Sequence, residues 1–266
     1  PTRCYSGDDR PSLARMMHRL LPIAMLLTAC SAPQADTTAS AFEAPAQAVT
    51  LTAADGKRVF GRLFRAEHPK ATILLFHQAG SSKDEYRTIA PRLVAAGYSA
   101  LAIDQRAGGT LYGPNETSAQ YPHPATYLEA VPDLQAAIDW ATQQHAPVIL
   151  WGSSYSAALV FVVGASNRQK ITAILSFSPG EYFDDKQLIK RAAAQLSVPA
   201  YITAAPSDEE TAAAKSIADA MPSRLVTRYI PKQGVHGSST LIRAKDPKGA
   251  EDNWLPVLAF LRKVAP

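Results

Sequence analysis

The chain has 266 residues, 47% of them hydrophobic and 19% charged, so it is long and apolar enough to bury a core, which excludes disorder over its whole length. Its 27 Lys and Arg against 23 Asp and Glu leave a formal charge of +4, too small an imbalance to argue for a nucleic-acid partner. The two cysteines are Cys4 and Cys30, both near the N-terminus, so the body of the chain has no material for a disulfide or a thiolate metal site and must work with oxygen and nitrogen groups.

Residues 1–15 have mixed charge and no periodicity and are set aside as an unassigned upstream segment. Residues 16–29 have the layout of a secretory signal: Arg19, then an apolar run from Leu20 to Ala29, half the roughly 20 residues that a membrane-crossing helix needs. Its end, Leu27-Thr28-Ala29-Cys30, resembles the lipobox of bacterial lipoproteins, in which the cysteine becomes the lipidated first residue. That resemblance implies lipidation at Cys30 and membrane association through the lipid. With Ser31 rather than Asp after it, it points to the bacterial cell envelope, on the outer membrane facing the periplasm. Residues 30–47 are expected to form a flexible tether, since 12 of the 17 residues from 31 to 47 are Ala, Pro, Ser or Thr and cannot bury enough apolar surface to order themselves.

Residues 48–266 are expected to form one α/β domain. An opening hairpin is predicted over 49–52 and 58–64, around the turn residues Asp55-Gly56. Continuous apolar runs then predict buried strands at 72–76, 99–103, 148–151, 172–177, 200–203 and 225–230. Between them, apolar residues at helical spacing predict helices at 83–96, 127–144, 156–165, 186–196 and 209–221, with a last one at 253–264. Strands alternating with helices imply a mostly parallel sheet with right-handed crossovers and helices on both faces.

Three strand ends carry the candidate chemistry. The strand at 148–151 runs into Gly152-Ser153-Ser154-Tyr155-Ser156 and then an apolar helix. A serine at such an apex needs small residues two positions either side so that strand and helix can approach, and Gly152 and Ser156 are small. Ser154 is therefore the candidate nucleophile. His236, in the glycine-flanked loop Gly234-Val235-His236-Gly237 after the last strand, is the candidate base. An imidazole base needs a carboxylate to set its tautomer and stabilise its charged form. Asp208, expected in the loop before the helix at 209–221, is chosen for this. Glu209 and Glu210 are assigned to the first turn of that helix, where the dipole gives acids a structural reason to exist; Asp184 and Asp185, after the strand at 172–177, are the rivals.

The order Ser154, Asp208, His236 is that of the α/β-hydrolases, and from about residue 48 to 265 the chain resembles that family. Leu75-Phe76-His77-Gln78-Ala79-Gly80 resembles its His-Gly oxyanion loop, with Gln78 where glycine is usual. Asp104-Gln105-Arg106-Ala107-Gly108-Gly109 resembles its Asp-x-Arg-Gly-x-Gly turn, in which the acid and the arginine brace loops. In size the body resembles the dienelactone-hydrolase-like branch, which typically has cysteine at the apex where this chain has Ser154. The resemblance implies a serine hydrolase that cleaves carboxylic esters or related small acyl compounds through an acyl-enzyme. The oxyanion would be held by the backbone N–H groups of Tyr155 and Ala79, with Gln78 as a further candidate, and no cofactor or metal would be needed. Peptidase and acyltransferase activities share the fold and triad; the reading from a different class is a non-catalytic envelope lipoprotein that uses the fold for binding. Tyr112, Asn115, Tyr121 and His123, in the long polar segment 107–125, are candidate substrate-lining residues. The short link between the strands at 172–177 and 200–203 predicts an uncapped site.

Overall fold

A run of apolar residues only five or six long, with β-branched residues among them, is too short for a buried helix and suits a strand packed on both faces. Four such runs form the middle of the sheet: β3 (Thr72–Phe76), β4 (Ser99–Ile103), β5 (Val148–Ser153) and β6 (Ala173–Phe177), every residue of them buried. The structure is a computed structural model that describes residues 45–266. The expected signal segment, Cys30 and nearly all of the tether lie outside the described residues.

β1 (Ala46–Thr52) and β2 (Arg58–Phe64) form the predicted hairpin, and β7 (Ala200–Thr203) and β8 (Val226–Tyr229) complete an eight-stranded sheet in the order β1-β2-β4-β3-β5-β6-β7-β8. β2 is antiparallel to both β1 and β4, and from β4 to β8 all neighbours are parallel. β1 begins at Ala46, so residues 46 and 47, read as tether, pair with Phe64 and Leu63 instead.

Side-chain alternation divides the core into two layers. Leu74, Phe76, Leu101, Ile103 and Leu150 meet the helices α2 (Val131–Thr142), α3 (Tyr155–Ser166), α4 (Leu188–Ala194) and α5 (Asp208–Ala218). Ile73, Leu75, Ile149 and Trp151 meet α1 (Ile89–Ala95) and α6 (Ala250–Val264) on the other face. α3 is apolar all round because sheet and neighbouring helices bury nearly its whole circumference. Among the described residues no helix is long and apolar enough to cross a membrane.

Several predicted boundaries move, three of them for a plain local reason. The helix expected at 83–96 splits into a 3-10 turn over Lys83–Tyr86, capped by the Ser82 hydroxyl, followed by α1. The helix expected at 127–144 likewise opens as a 3-10 turn at Leu128–Ala130 before α2. The third shift matters for function: α5 starts at Asp208, one residue early, because the Ser207 hydroxyl accepts from the Glu210 N–H as N-cap. Parallel strands deliver the loops after β3, β5, β6 and β7 to one edge of the sheet, where the candidate residues collect.

Candidate active site

Ser154 sits between β5 and α3 with φ 59° and ψ −121°, a region that non-glycine residues adopt only at a cost of about 1–3 kcal/mol. Its N–H donates to the Phe177 carbonyl at the end of β6 (2.9 Å), which fixes the turn against the sheet. The tightness is measurable at Gly152, where a Cβ would lie 2.2 Å from the Ser156 carbonyl oxygen. Position 156 tolerates a side chain because its hydroxyl is absorbed: it donates to the His77 carbonyl (2.6 Å) and accepts from Gln105 Nε2 (2.6 Å).

His236 Nε2 lies 2.8 Å from Ser154 Oγ, and its Nδ1 lies 3.0 Å from Glu210 Oε1. The carboxylate that reaches His236 is therefore Glu210 and not Asp208. Because α5 starts one residue early, Asp208 occupies its first position and is exposed, while Glu210, at the third, turns its side chain back toward the end of β7. There Glu210 Oε2 accepts from the Ala205 N–H (3.1 Å), leaving Oε1 for the imidazole. Burial raises the Glu210 carboxyl's affinity for a proton, but bonds to His236 and Ser178 more than offset this and hold its pKa below the usual value. With a carboxylate at Nδ1, that nitrogen carries the proton and Nε2 is left to accept from the serine. The rivals lie elsewhere: Asp185 pairs with Arg191, and Asp184 is exposed.

The loop after β3 is held from two sides. Its Gln78 N–H donates to Glu85 Oε2 (2.8 Å), which removes Gln78 from the candidate oxyanion donors. The N–H groups of Tyr155 and Ala79 have no backbone acceptor among the described residues, and Tyr155 opens α3, at the positive end of that helix. His77 is fully buried, and desolvation lowers its pKa to about 4. It is therefore neutral, and its Nδ1 donates to the Gln78 carbonyl (2.8 Å) while Nε2 accepts from the Gln105 N–H (2.9 Å). Gln105 joins this loop to the serine turn: its Oε1 accepts from the His77 N–H (2.8 Å), and its Nε2 donates to both the Tyr155 hydroxyl (2.7 Å) and Ser156.

Of the candidate substrate-lining residues, Tyr112 is brought near this loop, its hydroxyl 2.5 Å from that of Ser239, which also accepts from Gln78 Nε2 (3.4 Å). Tyr121 is not; its ring lies against the cations of Arg106 and Lys57. His123 is exposed, and the buried Asn115 amide spans the carbonyls of Ser81 and Gln105. Asp104 binds Lys83 and the Glu116 N–H, and Arg106 binds Asp133 and Asp55, so both tie loops together. Sequence reasoning missed Glu85, Ser178 and Tyr182. Ser178 accepts from the Gly237 N–H beside His236 (2.9 Å), and the Tyr182 hydroxyl donates to the Ser178 carbonyl (2.7 Å). Between β6 and β7 there is a single seven-residue helix, α4. Among the described residues no three His, Cys, Asp or Glu are grouped so as to hold a metal ion.

Comparison with known proteins adds the family. Over residues 67–215 the chain matches the family described as Hydrolase_4, serine aminopeptidase S33, which is more than half its length. Among solved structures it is similar to the Pyrococcus furiosus esterase Pf2001, with 18% identity and TM-score 0.63, over 84% of this chain and 93% of that one. A dienelactone hydrolase from Anabaena variabilis is similar at 17% identity and TM-score 0.66, over 84% and 99%. A carboxyl esterase from Bacillus coagulans follows at 10% identity and TM-score 0.66, over 83% and 99%. A search of curated proteins finds no match. At these identities the structural likeness speaks for the fold, and the sequence match supplies the rest: the chain is an α/β-hydrolase enzyme and belongs to the serine aminopeptidase S33 family, Hydrolase_4.

Proposed function

We propose that this enzyme cleaves small carboxylic esters through an acyl-enzyme, with Ser154, His236 and Glu210 as its triad. The observation that carries the reading is the unbroken line from Ser154 Oγ to His236 Nε2 (2.8 Å) and from His236 Nδ1 to Glu210 Oε1 (3.0 Å), starting at a strained turn on a helix N-terminus. His236 takes the hydroxyl proton as Ser154 attacks the acyl carbon, and Glu210 stabilises the imidazolium that forms. The N–H groups of Tyr155 and Ala79 hold the oxyanion; one such donor is typically worth about 10²–10³ in turnover. His236 then protonates the leaving alcohol, and a water deprotonated by the same imidazole hydrolyses the acyl-serine.

The short β6–β7 link, which holds only the seven-residue α4, supports small or soluble substrates over micellar lipids. A fluorophosphonate probe should label the protein at Ser154, and p-nitrophenyl esters of short acids should turn over faster than aminoacyl anilides. Absence of labelling overturns the serine-hydrolase reading in favour of a binding protein. Cleavage of anilides alone overturns the ester reading. We further propose, on the sequence of residues 16–31, that the mature chain is lipidated at Cys30 and held at the cell envelope; a Cys30→Ser protein that still sediments with membranes would refute this.

A further inference from the structure

Glu85 lies outside the reacting line, in the 3-10 turn after the β3 loop, and is 1% exposed. Its Oε2 accepts from the Gln78 N–H (2.8 Å) and its Oε1 from the Ser153 hydroxyl (2.7 Å), one residue before the nucleophile. Ser153 Oγ in turn accepts from the Ser238 N–H (2.8 Å), two residues past His236. One carboxylate and one hydroxyl thus join the oxyanion loop, the serine turn and the histidine loop. Packing alone does not require a buried acid here, because a carboxyl in this position carries a desolvation penalty that an apolar side chain would not.

Peptide geometry shows what the joint controls. The Gln78–Ala79 peptide is pinned by its carbonyl, which accepts from the buried His77 Nδ1, and in a trans peptide the Ala79 N–H points the opposite way. The preceding N–H, that of Gln78, is the one Glu85 holds. Releasing it leaves the His77–Gln78 peptide held by its carbonyl alone, on the Ser156 hydroxyl, so the chain leading into the Ala79 donor loses one of its two holds. Gly237 has a matching constraint: a Cβ there would lie 2.5 Å from Ser153 Oγ, so the hydroxyl sets how closely the histidine loop approaches.

We propose that Glu85 and Ser153 are a positioning pair that holds the Ala79 N–H and His236 in register with Ser154, acting on turnover and not on substrate affinity; this rests on the serine-hydrolase reading above. The test compares Glu85→Gln and Ser153→Ala with the natural enzyme on a short-chain p-nitrophenyl ester, every rate divided by the serine titrated with a fluorophosphonate, so that unfolded molecules do not count. Glutamine has one acceptor oxygen where two are used. The expected result is a kcat per titrated serine lower by about 10- to 100-fold in Glu85→Gln, the scale of a misplaced catalytic group, and by about fivefold or more in Ser153→Ala, with KM within about twofold in both. Unchanged kcat per titrated serine, or a loss carried by KM, overturns the proposal. If Glu85→Gln fails to fold, Ser153→Ala decides on the same criteria. A natural enzyme that is neither labelled nor active refutes the serine-hydrolase reading and this one with it, whereas an active natural enzyme with unaffected variants refutes only the positioning role.

Discussion

The two flanks of Ser154 are built differently. On the proposed oxyanion side, His77, Gln105, Ser156 and Glu85 are all essentially inaccessible and are joined by short bonds from two directions. On the proposed proton-transfer side, the His236 side chain is 41% exposed and that of Glu210 23% exposed, and the imidazole's described partners are the serine and the glutamate. Backbone donors cannot adjust to a reacting atom one by one, so their placement must be built in before the substrate arrives. An imidazole held by a carboxylate is oriented by a strong, charge-assisted bond and needs little else.

The largest effect should come from breaking the exposed flank. Glu210→Gln keeps size but loses the charge and misassigns the tautomer, a change that costs about 10⁴ in turnover in the analogous aspartate of chymotrypsin-type enzymes. We expect a fall in kcat of about 10³–10⁴ with the melting temperature nearly unchanged, measured on a soluble ester. The buried flank should fail in the opposite way. Gln105→Leu leaves the His77 N–H without its acceptor and removes the donor to Tyr155 and Ser156. Each buried polar group orphaned in this way costs about 1–3 kcal/mol, so urea denaturation should show stability lower by about 3 kcal/mol or more.

Acid probes the buried flank as well. Burial lowers the His77 pKa to about 4, so between its ordinary value near 6.5 and about 4 the unfolded chain takes up a proton that the folded one does not. The His77 contribution to folding stability should fall by about 3 kcal/mol across that window, at 1.36 kcal/mol per pH unit. A His77→Gln variant should lack this part of the slope when both are unfolded by urea at pH 7 and pH 4. Glu85 works with the opposite sign: burial, stronger than its hydrogen bonds, raises its pKa to about 7, so the stability present below about 4.5 is lost as pH rises toward 7. The smallest effect is expected at Asp208, which is exposed and outside the line to His236. Asp208→Asn should keep kcat within about twofold; a large loss there would return the acid's role to Asp208.

The same division explains what could be read from the residues alone. The serine turn was legible because its steric demand is written locally: an apolar strand, Gly152, a serine and an apolar helix. His236 was legible from its glycine-flanked loop. Glu210 was not, because an acid in a helix's first turn already has an electrostatic reason to be there. Its double use shows only when the cap is fixed at Ser207, which sets Glu210 three residues in and close to Ala205. Ser207-x-x-Glu210 is the spelling of a capping box, and it would have marked the true helix start. The buried flank was least legible, since Gln105 acts through partners 28 to 51 residues away in the chain and Glu85 joins Gln78 to Ser153, 68 residues from it. The tyrosines of the 107–125 segment carry no local signal for which of them faces the site.

Ser156 closes the turn Gly152-Ser153-Ser154-Tyr155-Ser156 at the position where the Gly-x-Ser-x-Gly turn of α/β-hydrolases has its second glycine, and the structure ties that choice to Gln105. The hydroxyl at 156 has a donor waiting for it, and the amide at 105 has an acceptor. Restoring glycine at 156 therefore removes a bond from Gln105 and from the His77 carbonyl at once, while the same change in a background without Gln105 removes less. The two positions are epistatic: effects measured at either one depend on the residue at the other and do not add. The effect of any change at position 156 is in this chain a property of the pair.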